Sequence, residues 1–195
     1  MPRGRPREFD TEDALQRAMV VFWRRGYRGT SLDDLTEALE VNKPSLYAAF
    51  GDKEALFLAV VDYYRDNMVA PAVRKLIGCK NLRDGLQAFF RAMSNIVIEN
   101  ETPPGCLIAC LLSEECCESD VIKTKLFSLI ESADRVFTKV FEEHKDELNP
   151  SLNPEAAGRL LASTMHGLSI RARAGASKKV LVEICDAFIE SVVAH

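Results

Sequence analysis

The sequence predicts an all-α chain, and three observations predict it. Apolar residues recur at helical spacing in segment after segment. Several of these segments open on a residue suited to cap a helix, Asp10, Ser31, Asn42 or Asn153, and breaks carrying glycine or proline, such as Gly26, Gly51, Gly78 and Pro150, separate them. The 195 residues, 47% hydrophobic and 28% charged, can bury a sizeable core in one domain or two small ones, and argue against a disordered or fibrous chain. The expectation is a short N-terminal three-helix unit followed by a larger helical body.

The first residues form an arm. Arg3, Arg5 and Arg7 alternate with Pro2, Gly4 and Pro6, a composition that resists helix and builds no core. Extended at about 3.3–3.6 Å per residue, it is long enough to lay arginines along a nucleic-acid groove or phosphate row; the alternative is a solubilising tail. A first helix is expected from Asp10 or Thr11, with Asp10 as cap, an inward face of Ala14, Leu15, Ala18, Val21 and Phe22, and a stop at Gly26. Trp23 and Tyr27 at its end read as packing that fixes the next turn.

The second helix begins at Ser31, which forms with Asp34 the pattern of a capping box. Leu32, Leu35, Ala38 and Leu39 face inward. Glu40-Val41-Asn42 makes a tight turn, and Asn42 caps a third helix with Pro44 in its first turn, where a missing N–H costs nothing. With Leu46 and Phe50 turned inward, Lys43, Pro44, Ser45, Tyr47 and the Ala48-Ala49 pair are left outside. A short polar-plus-small surface at the start of a helix suits a DNA major groove, the physical signature of a helix-turn-helix. Gly51-Asp52-Lys53 then restarts the chain, and Lys53 at a new helix N-terminus suits a phosphate.

Two stretches, G-Y-R-G-T-S-L-D-D-L from Gly26 and V-N-K-P-S-L-Y-A-A-F-G-D-K-E-A-L-F from Val41, resemble the N-terminal DNA-binding domain of TetR/AcrR-type bacterial transcriptional regulators over about residues 9–60. The resemblance implies an all-α dimer that represses transcription until a small molecule binds its C-terminal domain. It also implies that Lys43, Pro44, Ser45 and Tyr47 face an operator while Thr30 and Lys53 hold phosphates. Two departures stand out. Many members have Gly where Glu40 stands, so this turn must accept a side chain. Many have His or an aromatic where Ala48 and Ala49 stand, which leaves apolar contact with thymine methyls as their possible role.

Beyond the head, a long helix is expected from Asp52 to Ile77, kinked or ended by Pro71, as a lever between the two halves. The next, from Leu82 to about Asn100, carries a stripe of Phe89, Phe90, Met93, Ile96 and Val97 that serves either the core or a ligand pocket. Four cysteines follow. If helical, this segment puts Cys106, Cys110 and Cys117 on one face with Cys116 beside it, either as small buried residues or as a thiol switch. Glu114, Glu115 and Glu118 oppose a depressed thiol pKa, and the spacing with no nearby His fits no closed zinc site. Another helix runs from Ser119 or Asp120 to about His144, with Val121, Ile122, Leu126, Leu129, Ile130, Val136, Val140 and Phe141 at helical spacing.

The last two helices are apolar on two sides. In the first, Ala157, Leu160, Leu161, Thr164 and Leu168 form one face, and Gly158, Ala162, Met165 and Ser169 another. In the second, Leu181, Ile184, Phe188 and Val192 oppose Val182, Cys185, Ile189 and Val193. Two apolar sides imply burial against the body and against a partner, hence a two-fold homodimer through these helices. Two recognition helices about one DNA turn apart, roughly 34–36 Å, read a palindrome where one alone binds weakly. His166 lies inside the first of these helices, as a buried histidine or a polar handle on a ligand.

The net charge of −4 is uneven. Nine Arg and Lys balance nine Asp and Glu in the first 53 residues, so the remainder holds all of it and only the head should approach DNA. No apolar run nears the ~20 residues of a membrane span, and no secretory segment opens the chain, so the expected location is the cytoplasm, with the six cysteines mostly reduced. There is no nucleophile motif, no phosphate-binding glycine loop and no paired carboxylate site, so no enzyme, cofactor or metal is expected.

The sequence therefore predicts a flexible basic arm (1–8), a helix-turn-helix DNA-binding domain (9–53) and a helical effector-binding and dimerisation domain (54–195). The expected function is a dimeric regulator, a repressor released from a palindromic double-stranded operator by a small-molecule or oxidative signal. Phe90, Met93, Cys106, Cys110 and His166 are the candidates for sensing that signal. The alternative is a helical thiol- or metal-binding protein that retains a helix-turn-helix.

Overall fold

A computed structural model describes residues 10–98 and 103–194. The backbone divides into two compact units, the first closing at Tyr63 and the second opening at Tyr64. Arg3, Arg5 and Arg7 lie outside the described residues.

The first unit is built from α1 (Thr11–Arg25), α2 (Leu32–Leu39), α3 (Lys43–Phe50) and most of α4 (Lys53–Tyr64). Each of the first three starts where a side chain satisfies orphan N–H groups. The Asp10 carboxylate accepts from the N–H groups of Glu12 and Asp13 at 3.0 and 3.3 Å. Ser31 Oγ accepts from Asp34 N–H at 3.1 Å while Asp34 Oδ2 accepts from Ser31 N–H at 2.9 Å, a complete capping box. Asn42 Oδ1 accepts from Ser45 N–H at 2.9 Å, with Pro44 in the first turn. Helix α1 ends at Gly26, whose φ of 72° is open to glycine at little cost. These caps leave Ala18, Phe22, Leu35, Leu46, Leu56 and Phe57 free to fill one core, with Phe22 and Phe57 edge-on at 5.1 Å.

At the start of the second unit the winding is disturbed beside Pro71, where a kink or an end is expected. Pro71 does not end the helix that α4 begins. The chain widens into a π-helical turn, Arg65–Val69, in which Ala70 N–H donates to Arg65 C=O, and it resumes as α5 (Ala70–Ile77) with Pro71 in the first turn. The wider turn passes the residue that lacks an N–H without a break. Next come α6 (Leu82–Ile98), a second π turn (Ile108–Leu112) running into the one-turn α7 (Ser113–Glu115), and α8 (Asp120–Glu143), capped by Ser119 Oγ. A 3₁₀ turn (Lys145–Glu147) leads to α9 (Pro154–Arg173) and α10 (Lys178–Val192). Phe89, Phe90, Phe141, Leu161, Leu168 and Phe188 knit α6, α8, α9 and α10 into one core. The end of the chain is tied back by Ala194 N–H to Glu147 C=O and Asn149 N–H to Val192 C=O, both 2.8 Å.

Both apolar faces expected on α9 and α10 pack largely inside the chain. Gly158, Ala162, Met165, Ser169, Cys185, Ile189 and Val193 of one face are buried within the chain, as are Ala157, Leu161, Leu168, Leu181, Phe188 and Val192 of the other. The reason is the close approach of α9 to α8: a Cβ added at Gly158 would lie 2.7 Å from the Thr138 backbone nitrogen. The apolar side chains left in solvent are others, Leu160 and Ile170 on α9 and Val180 and Val182 on α10. Val121, one of the apolar positions at helical spacing on α8, is 53% exposed. Cys117 does not share a face with Cys106, because the helix stops at Glu115 and Cys116-Cys117 lie in the turn that follows. All six cysteines are free thiols. No helix among the described residues is long and apolar enough to cross a membrane.

Candidate functional site

Helix α3 is anchored by Leu46, fully buried, and presents Lys43, Pro44, Ser45, Tyr47, Ala48 and Ala49 to solvent. Tyr47 is the large group of this surface, 46% exposed. Lys43 Nζ rests 2.6 Å from Asp33 Oδ1, and that hydrogen bond raises its pKa further above the physiological range. Exposed ion pairs are weak in water, so a phosphate or base edge can take over the ammonium at little cost. The turn before α3 carries Glu40 in the left-handed region at φ 56°, the one non-glycine residue with positive φ among those described. Its carboxylate is neutralised by Arg17, which bonds Asp13 at 2.9 Å and Glu40 at 3.0 Å. Arg25 pairs with Asp34, whose carboxyl is held below the usual range first by the Ser31 N–H and then by the Ser31 hydroxyl.

Thr30 and Lys53 stand apart from this surface. Thr30 is 1% exposed, and its hydroxyl donates to Gly26 C=O at 2.6 Å. Lys53 Nζ donates to the carbonyls of Tyr27 and Thr30 at 3.0 and 3.1 Å and sits 4.2 Å from the centre of the Tyr27 ring. Asp52 Oδ1 already accepts from Ala55 N–H at 2.8 Å at the start of α4. Together these bonds lock the loop between α1 and α2 against α4.

The second unit holds a cavity of about 300 Å³ among α5, α6, α8, α9 and the chain around Cys106. Its walls are mainly aliphatic and aromatic, with Val73, Phe89, Met93, Ile130, Val136 and Phe137 prominent. Few polar groups reach it. Ser169 Oγ donates to Met165 C=O at 2.8 Å, and Arg65 pairs with Asp66 at 2.7 Å. Burial lowers the His166 pKa, only partly opposed by Asp134, so the imidazole is neutral at neutral pH. Burial also raises the Cys106 thiol, with the Tyr64 hydroxyl beside it acting the other way, and raises Cys110, on which Arg173 acts in opposition. Cys185 is pushed up to about 11. These are protonated thiols at neutral pH. No group of three or more His, Cys, Asp or Glu among the described residues is placed to hold a metal ion.

Comparison with known proteins decides the family. The model of the bacterial regulatory proteins of the tetR family matches residues 14–60. The HTH-type transcriptional repressor ComR of Escherichia coli (strain K12) is 35% identical over 186 residues, 93% of this chain and 88% of that one. This chain belongs to the TetR family. The HTH-type transcriptional repressor BdcR of the same organism is 26% identical over 89% of this chain and 84% of its own length. Among solved structures, a cysteine mutant of the TetR family regulator CifR, complexed with 26-bp operator DNA, superposes with a TM-score of 0.86 at 32% identity, covering 96% of this chain and 99% of that one. TetR-family proteins are transcriptional regulators and not enzymes.

Lys43, Pro44, Ser45 and Tyr47 come together on one exposed face. Thr30 and Lys53 lie apart from it: the Thr30 hydroxyl is bonded to Gly26 C=O, and the Lys53 ammonium gives two of its three N–H donors to the Tyr27 and Thr30 carbonyls. Met93, Cys106 and His166 line the cavity, whereas Phe90 and Cys110 do not. Phe90 turns toward Phe188, 5.5 Å between ring centres, and its neighbour Phe89 takes the cavity position. Arg65 and Phe137, absent from the expected set, complete the wall; only the fold brings them to it.

Proposed function

We infer that this TetR-family regulator binds a palindromic operator as a homodimer, inserting α3 of each copy into successive major grooves, and that a small apolar molecule in the second unit's cavity releases it. The exposed face of α3 carries the reading. A large aromatic and a lysine stand in solvent on a short helix whose turn, cap and inner face are all fixed, which is the chemistry of base-edge and phosphate contact. The names of ComR and BdcR as repressors, and the operator complex of CifR, support it.

The cavity supports the second half. A space of about 300 Å³ with apolar walls and a neutral imidazole favours an uncharged, largely hydrophobic effector with at most one or two polar groups. Protonated, buried thiols favour such a ligand over oxidation as the signal. For the dimer, Leu160, Gly167 and Ile170 recur along one exposed side of α9, with Val180 and Val182 exposed on α10, an apolar surface suited to an identical copy.

The test is a titration of the full chain against the DNA upstream of its own gene at several salt concentrations. Specific binding that Tyr47→Ala and Lys43→Ala each weaken by on the order of tenfold or more supports the reading. Indifference to both substitutions sinks it.

A further inference from the structure

The loop between α5 and α6 carries a thiol that neither the head nor the cavity uses. Cys79 Sγ lies 3.4 Å from His144 Nε2, and His144 Nδ1 lies 2.9 Å from Glu147 Oε1. Glu147 Oε2 accepts from Leu82 N–H at 2.8 Å. These bonds assign the protons. The Leu82 N–H first, and His144 after it, hold the Glu147 carboxyl below its usual range, so at neutral pH it is a carboxylate and only accepts. His144 Nδ1 therefore donates to Glu147, which makes Nε2 the ring nitrogen that accepts from the Cys79 S–H when the ring carries one proton. A nucleophile hydrogen-bonded to a base that a third group orients is the recurring arrangement of an activated thiol.

Two further observations set the site. A Cβ added at Gly85 would lie 2.5 Å from Cys79 Sγ and 2.6 Å from its Cβ, so the thiol reaches His144 only because α6 has no side chain there. The group is also within reach of solvent: Cys79 is partly exposed, and the His144 and Glu147 side chains keep 13% and 33% of their surface.

We propose that Cys79 is a covalent capture site for small uncharged electrophiles of the α,β-unsaturated carbonyl class, with His144 as its base and Glu147 as the residue that positions that base. As sulfur forms a bond to the β-carbon, the thiol proton passes to His144 Nε2 and the C=C electron pair moves onto the carbonyl as an enolate. The enolate carbon then takes the proton back from Nε2. A thioether and a neutral imidazole remain, with no oxidant consumed and no leaving group.

The surroundings select this class. Burial first, and then the Glu147 and Glu143 carboxylates, hold the Cys79 thiol above its ordinary value, and the same two carboxylates repel anionic reagents such as glutathione disulfide. Addition coupled to proton transfer needs no standing thiolate. An adduct has no room beside Gly85, so capture pulls Cys79 away from His144. Glu147, bonded to both His144 and the first N–H of α6, transmits the loss to a helix that supplies Phe89 and Met93 to the cavity.

The experiment treats the full-length protein with limiting acrylamide at neutral pH and maps adducts after tryptic digestion, which isolates Cys79 in the peptide Leu76–Lys80. Cys79 is expected to react faster than the exposed Cys117 in the same molecules, although it is less accessible. His144→Gln should slow Cys79 about tenfold or more while Cys117 keeps its rate, and Glu147→Gln should shift the pH profile of the Cys79 reaction. The proposal is overturned if Cys79 lags behind Cys117, or if a folded His144→Gln chain reacts as fast as the parent. Faster modification of Cys79 by glutathione disulfide or hydrogen peroxide than by acrylamide overturns the ligand class. Should His144→Gln fail to fold, the ratio of Cys79 to Cys117 labelling in the unaltered chain decides alone.

Discussion

Thr30 and Tyr47 are both polar residues of the head, and the structure buries the first and exposes the second. The Thr30 hydroxyl is buried on Gly26 C=O, so Thr30→Val removes a satisfied buried hydrogen bond and should lower unfolding stability by about 1–2 kcal/mol in denaturant titration. Tyr47 projects into solvent, so Tyr47→Ala should leave the unfolding midpoint in place and reduce operator affinity. The sequence shows that a threonine precedes the capping serine, but not that its side chain folds back onto a carbonyl four residues earlier. The internal bonds of Lys53 are hidden from a sequence reading for the same reason. A lysine at a helix start suits phosphate, and only the closed loop shows two carbonyls and the Tyr27 ring competing for it. His166 gives a pH signature. Its folded-state pKa is depressed below the ordinary 6.5, so the unfolded chain takes up the proton first as the solution is acidified. Its contribution is complete above about pH 6.5 and lost as pH falls below that value. Denaturant titrations should show the unaltered chain losing more stability than His166→Gln on acidification, with a constant difference above about pH 7.

At the scale of the elements, most helices are legible because their limits are set by local chemistry. Asp10, Ser31, Asn42, Ser119 and Asn153 all accept the N–H bonds that define a helix start. What was not legible depends on packing between elements. Periodicity places Phe89 and Phe90 on adjacent positions of α6, but which of them meets a void and which meets Phe188 is decided by the neighbouring helices. The small-residue face of α9 reads equally well as an oligomer contact or as a groove for a neighbour in the same chain. Thr138 against Gly158 shows the second. Gly158→Ala should therefore separate α8 from α9 and cost about 1–3 kcal/mol in unfolding stability, with the loss larger for Gly158→Val. The π turn at Arg65–Val69 has no periodicity signature. Pro71 announces a disturbance without saying that wider winding absorbs it.

At the scale of the molecule, the family and the head's architecture were legible because a compact motif carries them, whereas the cavity is assembled from residues as distant as Arg65 and Ser169. Reading a palindrome requires two copies of the chain. Ile170→Asp places a charge in the exposed apolar surface of α9, where it is harmless to a lone chain. Sedimentation should then show a shift toward the monomer, and operator affinity should fall with it although α3 is untouched. The central claim is that α3 of two identical chains reads one palindrome, and the most direct measurement is selection of bound sequences from a pool of random duplexes by the full-length protein and by Tyr47→Ala. The account predicts that the unaltered chain enriches a palindrome with half-sites about one helical turn apart, or a small multiple of it, and that Tyr47→Ala blurs the same positions in both halves. Enrichment of no motif, or of the same motif with equal sharpness by Tyr47→Ala, would contradict it.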